Sequence, residues 1–122
     1  MALRGINKVT LLGNIGQTPT IRYTAKQEAV AVFQVATGEF WKEKGTGKPK
    51  EKTYWNNVVV FNATLAEAIR DHAKSGTKVY LEGKSVNRKW VDDNNVEQYI
   101  NEVVVEGFHG IVQIIHTEAG RE

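Results

Sequence analysis

The chain has 122 residues, with 16 Lys and Arg against 14 Asp and Glu, a formal net charge of +2 and no cysteine. This length suits one domain, which buries roughly 65% of its unfolded-chain surface and holds a core without cross-links. The lack of cysteine excludes disulfides, thiolate metal sites and thiol nucleophiles. No apolar run reaches the ~20 residues of a membrane span, and the first residues lack a signal-peptide core. We therefore expect a soluble protein of a reducing compartment.

The composition favours β-structure. The sequence holds 15 Val, 8 Ile and 10 Thr but only 5 Leu, and stiff β-branched side chains suit pleated strands. The net charge conceals an asymmetry: residues 1–91 carry 15 basic and 7 acidic groups, whereas residues 92–122 carry 1 and 7. A total of +2 therefore says little about any one surface.

Alternation of polar and apolar residues predicts strands over residues 5–15, 53–61, 79–91 and 97–106, with a short extended segment at 21–23. Residues 28–41 are also predicted to form a strand, and their apolar residues fall on both faces, as expected where a strand is covered on both sides. In the first strand we expect Gly13 to mark a bend or bulge. In the last strand we expect Tyr99, Val103 and Val105 on the inner face. The apolar segment 111–115 is either a further short strand or an edge pairing.

One helix is predicted, at about residues 63–74. Thr64 and Glu67 have the spacing of a capping box at its start, and Gly76 follows its end. Leu65 and Ile69 begin an apolar stripe with helical spacing. The helix has one apolar side, so we expect it to close the end of a sheet.

Five strands with a helix between the third and the fourth is the element order of an OB-fold. We therefore predict an all-β fold with one short α-helix, built as a five-stranded Greek-key β-barrel. Residues 1–110 are expected to form the OB-fold domain, and residues 111–122 a short C-terminal extension. Other small β-barrels have a similar element order, so the order alone leaves them open. OB-folds commonly bind oligonucleotides on one face and between their loops.

The three tryptophans, Trp41, Trp55 and Trp90, lie near strand ends or beside charged residues. Core tryptophans usually sit among hydrophobic residues, so this placement predicts partly exposed rings. Exposed rings beside cations commonly serve as stacking platforms for unpaired bases, while the cations hold the phosphates. Phe61 shares a strand face with Trp55, about 20 Å away at ~3.3 Å per residue. It follows three valines, so a core position suits it equally well.

Positive charge is scattered along the chain. Residues 42–52 carry five Lys, two Gly and one Pro without a hydrophobic residue, which predicts a mobile hairpin loop. The loop is either a solvated tip or a segment that closes over a polyanion, and its position between two tryptophan-bearing strands favours the second. Six further basic residues are candidates for phosphate contacts: Arg4, Lys8, Arg22, Lys74, Arg88 and Lys89.

The sequence argues against an enzyme. Its imidazoles are His72, His109 and His116, and their spacing matches neither a metal site nor a nucleophile–base pair. The adjacent Asp92 and Asp93 are better explained as turn formers than as an acid–base pair. We therefore expect no catalytic residue, no metal and no cofactor.

Taken together, several stretches resemble the single-stranded DNA-binding proteins of bacteria and mitochondria. The resemblance spans roughly residues 3–106, and its motifs follow one another in the family's order. The stretches that carry it are Arg4-Gly5-Ile6-Asn7-Lys8-Val9, Leu12-Gly13-Asn14-Ile15-Gly16, Phe40-Trp41-Lys42, Thr53-Tyr54-Trp55-Asn56-Asn57-Val58-Val59-Val60-Phe61, Val79-Tyr80-Leu81-Glu82-Gly83-Lys84, Arg88-Lys89-Trp90 and Glu102-Val103-Val104-Val105.

The resemblance implies a homotetramer of OB-folds that binds single-stranded DNA with little sequence preference. Such proteins protect the strand during DNA replication, repair and recombination. The matching ring positions, which in the family stack on bases, are Trp41, Trp55, Phe61 and Trp90. The basic positions that would follow the DNA path are Arg4, Lys8, Arg22, Lys74, Arg88 and Lys89.

The sequence also departs from the family. Bacterial members continue into a long tail with an acidic tip that recruits replication and repair proteins, and this sequence has neither. Either the chain is truncated, or it is a tail-less relative from a phage, plasmid, mobile element or organelle. This departure puts recruitment through a tail in doubt and leaves replication and repair proteins open as partners. Asn56 stands where many bacterial members have a His near the subunit contact, which leaves a dimer open. The resemblance implies a cytoplasmic, nucleoid-associated protein, with a phage, plasmid or organellar origin left open.

A second hypothesis is a replication accessory protein that uses the same barrel as a protein adaptor, as the related primosomal proteins do. The presence of all three tryptophans argues against it.

Overall fold

The structure, a computed structural model, describes residues 4–107 and 110–115 of the chain. Over these residues it contains one helix and seven strands: β1 (Val9–Ile15), β2 (Thr20–Tyr23), β3 (Ala29–Lys42), β4 (Pro49–Val60), α1 (Ala63–His72), β5 (Lys78–Val91), β6 (Glu97–Val105) and β7 (Ile111–Ile115).

Five strands close into a barrel in the order β1-β3-β4-β6-β5, and β5 returns to β1. β1 can bridge two neighbours because its end, at Asn14 and Ile15, pairs with β3, while residues 9–14 pair with β5. The ring is completed by a parallel pairing of residues 58–60 in β4 with residues 103–105 in β6. β2 adds to β3, and β7 adds to β5. This is the predicted five-stranded barrel with one helix, and its strand pairing is that of an OB-fold.

The barrel interior is filled by every second residue of its strands. Val58 and Val60 of β4 are fully buried, as are Val79 and Leu81 of β5. The side chains between them point outward, as strand alternation requires. A side chain at Gly13 would place its Cβ 2.2 Å from the Ala36 carbonyl oxygen. Glycine at this position allows β1 to cross close to β3.

Helix α1 has a different N-cap from the predicted one. Asn62, not Thr64, precedes the first helical residue, and its side-chain oxygen accepts a hydrogen bond from the Leu65 amide. Thr64 lies inside the first turn, so the predicted capping box is wrong. The predicted apolar stripe is correct, with Ile69 fully buried against the barrel. The helix ends at His72, two residues before the predicted end.

Two long hairpins extend from the barrel. The predicted loop at 42–52 is shorter than expected, because Pro49 already pairs with Lys42 and β4 begins there. Charged residues suffice in that part of the strand because water covers both of its faces. The prediction that Tyr99 faces the interior is also wrong, because Tyr99 is 69% exposed. It lies near the tip of the β5–β6 hairpin, in the part of β6 that extends beyond the barrel.

The β5–β6 hairpin has a turn without glycine. Asn95 adopts a left-handed conformation with φ of 62°, which asparagine tolerates better than most residues. The Asp92 carboxylate accepts hydrogen bonds from the amides of Asn94 and Val96. These backbone hydrogen bonds, with Val96 first, hold the pKa of Asp92 below its ordinary value.

The segment 111–115 forms β7 and pairs antiparallel with β5, so it is a further strand. Val112 and Ile114 are partly buried and pack against the barrel core. The remainder of the predicted C-terminal extension, residues 116–122, lies outside the described residues. The helix in the described part of the chain is too short and too polar to span a membrane.

Candidate nucleic-acid interface

An apolar groove of about 600 Å³ crosses the outer face of the barrel. Its valines belong to β3, β4, β5 and β6 and point away from the core by strand alternation. Three of them are nonetheless less than 10% exposed. The floor of the groove is therefore less accessible to solvent than an ordinary strand surface. These floor residues are Val30, Val32, Val59, Val86 and Val104.

Basic side chains and two aromatic rings, those of Tyr23 and Phe61, line the same groove. Phe61 follows the last residue of β4, where its amide donates to the Val105 carbonyl at 2.8 Å. Its ring is half exposed, so Phe61 is not a core residue. Arg22 lines the groove from β2, and Lys84 and Arg88 line it from β5. The structure therefore brings one predicted stacking residue and two predicted phosphate contacts into one groove.

Trp55 lies on the outward side of β4, on the strand face that also holds Val59. Its ring is 55% exposed and lies directly over Gly16, where a Cβ would come within 2.5 Å of the indole Cζ3 atom. The Ser75 hydroxyl donates to the Gly16 carbonyl at 2.6 Å. The turn that contains Lys74 is thereby held against the chain segment on which Trp55 rests.

Trp41 and Trp90 lie on the two hairpins. Trp90 and Arg88 point to the same side of β5 because they are two residues apart. Trp41 is opposite Lys50 in the β3–β4 ladder, on the side of the sheet that continues the barrel interior. Both rings are close to half exposed. The four predicted stacking residues are thus all exposed, with three on outward positions and Trp41 on the other side of its hairpin.

The hairpins expose further aromatic rings that the sequence analysis did not select. Phe40 is 70% exposed and lies on the same side of the β3–β4 hairpin as Trp55. Tyr54 lies on the side of Trp41, with the Lys52 Nζ atom 5.2 Å from its ring centroid. Tyr99 is exposed on β6. Phe40 and Tyr54 could have been found from the alternation of strand faces, counted from Trp41 and Trp55. The exposure of Tyr99 could not, because it depends on how far β6 extends beyond the barrel.

Carboxylates of β6 and the following residue pair with the cations of β5. Lys89 Nζ lies 2.9 Å from a Glu97 oxygen, and this hydrogen bond holds the pKa of Glu97 below its ordinary value. Arg88 pairs with Glu102, whose hydrogen bond raises the pKa of the guanidinium. Lys84 pairs with Glu106. Part of the acidic excess of the C-terminal residues thus forms ion pairs with basic residues of β5.

The predicted phosphate contacts that lie outside the groove include Arg4, Lys8 and Lys89. Arg4 is exposed in the segment before β1. Lys8 lies at the start of β1, 3.1 Å from Glu82 of β5, and Glu82 also accepts a hydrogen bond from the Tyr80 hydroxyl. The Tyr80 bond, followed by that from Lys8, lowers the pKa of Glu82. This cluster is on the β1–β5 side of the barrel, where Lys8 and Glu82 line a neighbouring cavity that shares Lys84, Val104 and Glu106 with the groove.

Lys89 is next to Arg88 and therefore points to the opposite side of β5, where it pairs with Glu97. Its position separates it from Arg22 and Arg88. No group of three or more potential metal-ligating side chains occurs among residues 4–107 and 110–115.

Comparison with known proteins decides the relationship. The model of the single-strand binding protein family matches residues 6–112. The chain belongs to this family. A solved structure, described as a Plasmodium falciparum SSB complex with ssDNA, is 30% identical and superposes with a TM-score of 0.83. The match covers 94% of this chain and 99% of that chain.

Family membership confirms the resemblance found in the sequence, and the structural match confirms the OB-fold. It also agrees with the prediction of a binding protein without enzymatic activity. The similarity extends across the barrel and includes the elements that form the groove and its aromatic surroundings.

Proposed function

We propose that this member of the single-strand binding protein family binds and protects single-stranded DNA with little sequence preference. The observation that carries the proposal is the groove, whose floor consists of valines and whose border includes Phe61, Arg22 and Arg88. Exposed rings on the surrounding strands extend the surface. Every base has a π-face, so aromatic stacking accepts any sequence.

Two physical terms hold the strand in this proposal. Stacking of bases on Trp41, Trp55, Phe61 and Trp90 contributes ~1–3 kcal/mol per base, a range known for single-strand binding proteins themselves. Neutralisation of phosphates by Lys and Arg releases counterions and makes the affinity depend on salt. Among the candidate cations, Arg22 is favoured because it lines the groove, and Lys74 because its turn rests against the segment beneath Trp55.

The remaining predicted contacts have weaker support. Arg4 and Lys8 reach the DNA only if the strand continues around the barrel, and Lys89 only if it passes over the other side of the β5–β6 hairpin. A strand that wraps an oligomer would follow such a path. The processes served are DNA replication, repair and recombination, and a location with the cellular DNA follows from them.

We further propose that the chain assembles into a homotetramer, with a dimer as the smaller alternative. Leu12 is 53% exposed on the outer face of β1 and lies opposite Tyr80 in the β1–β5 ladder. Ile6, just before β1, is almost fully exposed. Exposed apolar groups of this kind are typical of surfaces that bind other proteins, so they favour contact between subunits here.

Titration with poly(dT) and with duplex DNA tests the function, using tryptophan fluorescence at low and high salt. We expect strong quenching by poly(dT) alone, weakened by salt, on a particle whose mass in light scattering is that of a tetramer. Little quenching by either DNA would refute the proposal and would favour the adaptor hypothesis.

A further inference from the structure

Glu102 is the one buried charged residue among residues 4–107 and 110–115. Strand alternation places it on the outer face of β6, beside Val104 on the floor of the groove. Its side chain is only 8% exposed. A carboxylate in such a position needs a permanent partner, because an unpaired buried charge is strongly destabilising.

Arg88 is that partner. Its Nε donates to one Glu102 oxygen at 3.0 Å, and its Nη2 donates to the other at 3.3 Å. A phosphate that took Arg88 away would leave the Glu102 charge buried and unpaired. Arg88 therefore stays on Glu102 when DNA binds, and the two side chains together carry no net charge.

The pairing leaves one edge of the guanidinium available. An arginine has five N–H donors in a planar fork, and the two hydrogen bonds to Glu102 use the Nε–Nη2 side. The Nη1–Nη2 edge forms no other hydrogen bond within the described part of the chain, so it can donate to two acceptors. Arg88 lines the groove with the apolar floor, where a base is a better occupant than a hydrated phosphate.

We propose that Arg88 contacts the bases of the bound strand through this edge, and that Glu102 is the residue that positions it and cancels its charge. Base oxygens and ring nitrogens are the acceptors. This inference rests on the proposed function. It changes the role of Arg88 from the phosphate contact predicted from the sequence to a base contact.

The dependence of affinity on salt distinguishes the two roles. Each phosphate neutralised on a single strand contributes ~0.7 to the slope of log K against log salt concentration. We expect E102Q, which frees the Arg88 charge, to steepen the slope for oligo(dT) by about 0.7. The double variant R88Q/E102Q, which removes both charges, should keep the wild-type slope.

A strand without bases provides the second measurement. R88Q/E102Q should bind oligo(dT) roughly 2- to 10-fold more weakly than the wild type, the range expected for a lost hydrogen bond. Its affinity for an abasic deoxyribose-phosphate strand of the same length should be unchanged. The matched control is E67Q, which removes one exposed carboxylate from helix α1 that pairs with none of the candidate phosphate contacts in the described part of the chain, and which should not steepen the slope. Thermal unfolding verifies that each variant is folded.

Three results would overturn the inference. These are a double variant with a slope about 0.7 shallower than the wild type, equal weakening on both strands, or the same steepening in E67Q as in E102Q. The first two assign Arg88 to a phosphate, and the third assigns the effect to net charge. A wild-type protein that binds neither strand would instead refute the proposed function, and the inference with it.

Discussion

Trp55 offers the most direct test of base stacking, because more than half of its side chain is exposed. A tryptophan buries about 150–250 Å² when fully covered, and 55% of this side chain is exposed. A base that covers one face of the ring therefore removes roughly 70 Å² from water. At ~25 cal/mol per Å², that amounts to about 1.7 kcal/mol, within the ~1–3 kcal/mol per base of aromatic stacking.

We therefore expect Trp55→Ala to weaken poly(dT) binding by about 1–3 kcal/mol, roughly 5- to 150-fold. Trp55→Phe is the matched control, because it retains a ring and should recover most of the affinity. The assay is a competition titration, which does not depend on the fluorescence of the substituted residue. Unchanged affinity of Trp55→Ala, with the fold intact by circular dichroism, would refute the stacking role.

Three further predictions concern the scaffold. Gly16→Ala should weaken poly(dT) binding less than Trp55→Ala does, because the new Cβ, 2.5 Å from the indole, displaces the ring without removing it. The control Gly45→Ala, with open space around it, should not change the affinity. Equal affinities of the Gly16→Ala and Gly45→Ala variants would contradict this prediction. Gly83→Ala should lower the free energy of unfolding by ~1–3 kcal/mol in urea titrations, because its Cβ would lie 2.6 Å from the Val104 carbonyl oxygen; a melting temperature equal to the wild type's would refute the close approach. The pKa of Glu82 is lowered by Tyr80 and Lys8. Its contribution to stability is therefore complete above the ordinary carboxyl range near pH 4 and is lost as the pH falls through the pKa of the folded state. Glu82→Gln should make the free energy of unfolding fall less steeply at acidic pH, and an unchanged pH dependence would argue against the cluster.

Local sequence determined much of the fold because alternation and helical periodicity depend on neighbouring residues. In β4 the predicted alternation is present, because Val58 and Val60 are fully buried on one face and Val59 lies on the other. In α1 the apolar stripe was correct, but the cap was displaced from Thr64 to Asn62. Both residues have cap-forming side chains, and only the observed start of the helix decides between them.

The candidate site divides in the same way. The sequence indicated that Trp41, Trp55 and Trp90 would be exposed, because charged residues stand beside them. It left Phe61 undecided, since a phenylalanine after three valines suits a core equally well. The structure places Phe61 just beyond the point where β4 leaves its parallel pairing with β6, and its ring is therefore half exposed.

By itself, the sequence determined the five long strands, the helix after the third of them and the placement of aromatic residues beside cations, because these properties follow from residue type and spacing. The tertiary structure alone decided that Arg88 is paired with Glu102, that Gly16 lies beneath Trp55, and that valines of four strands form one groove. Each of these contacts joins residues far apart in the chain. They depend on the closure and register of the barrel, which no local pattern encodes.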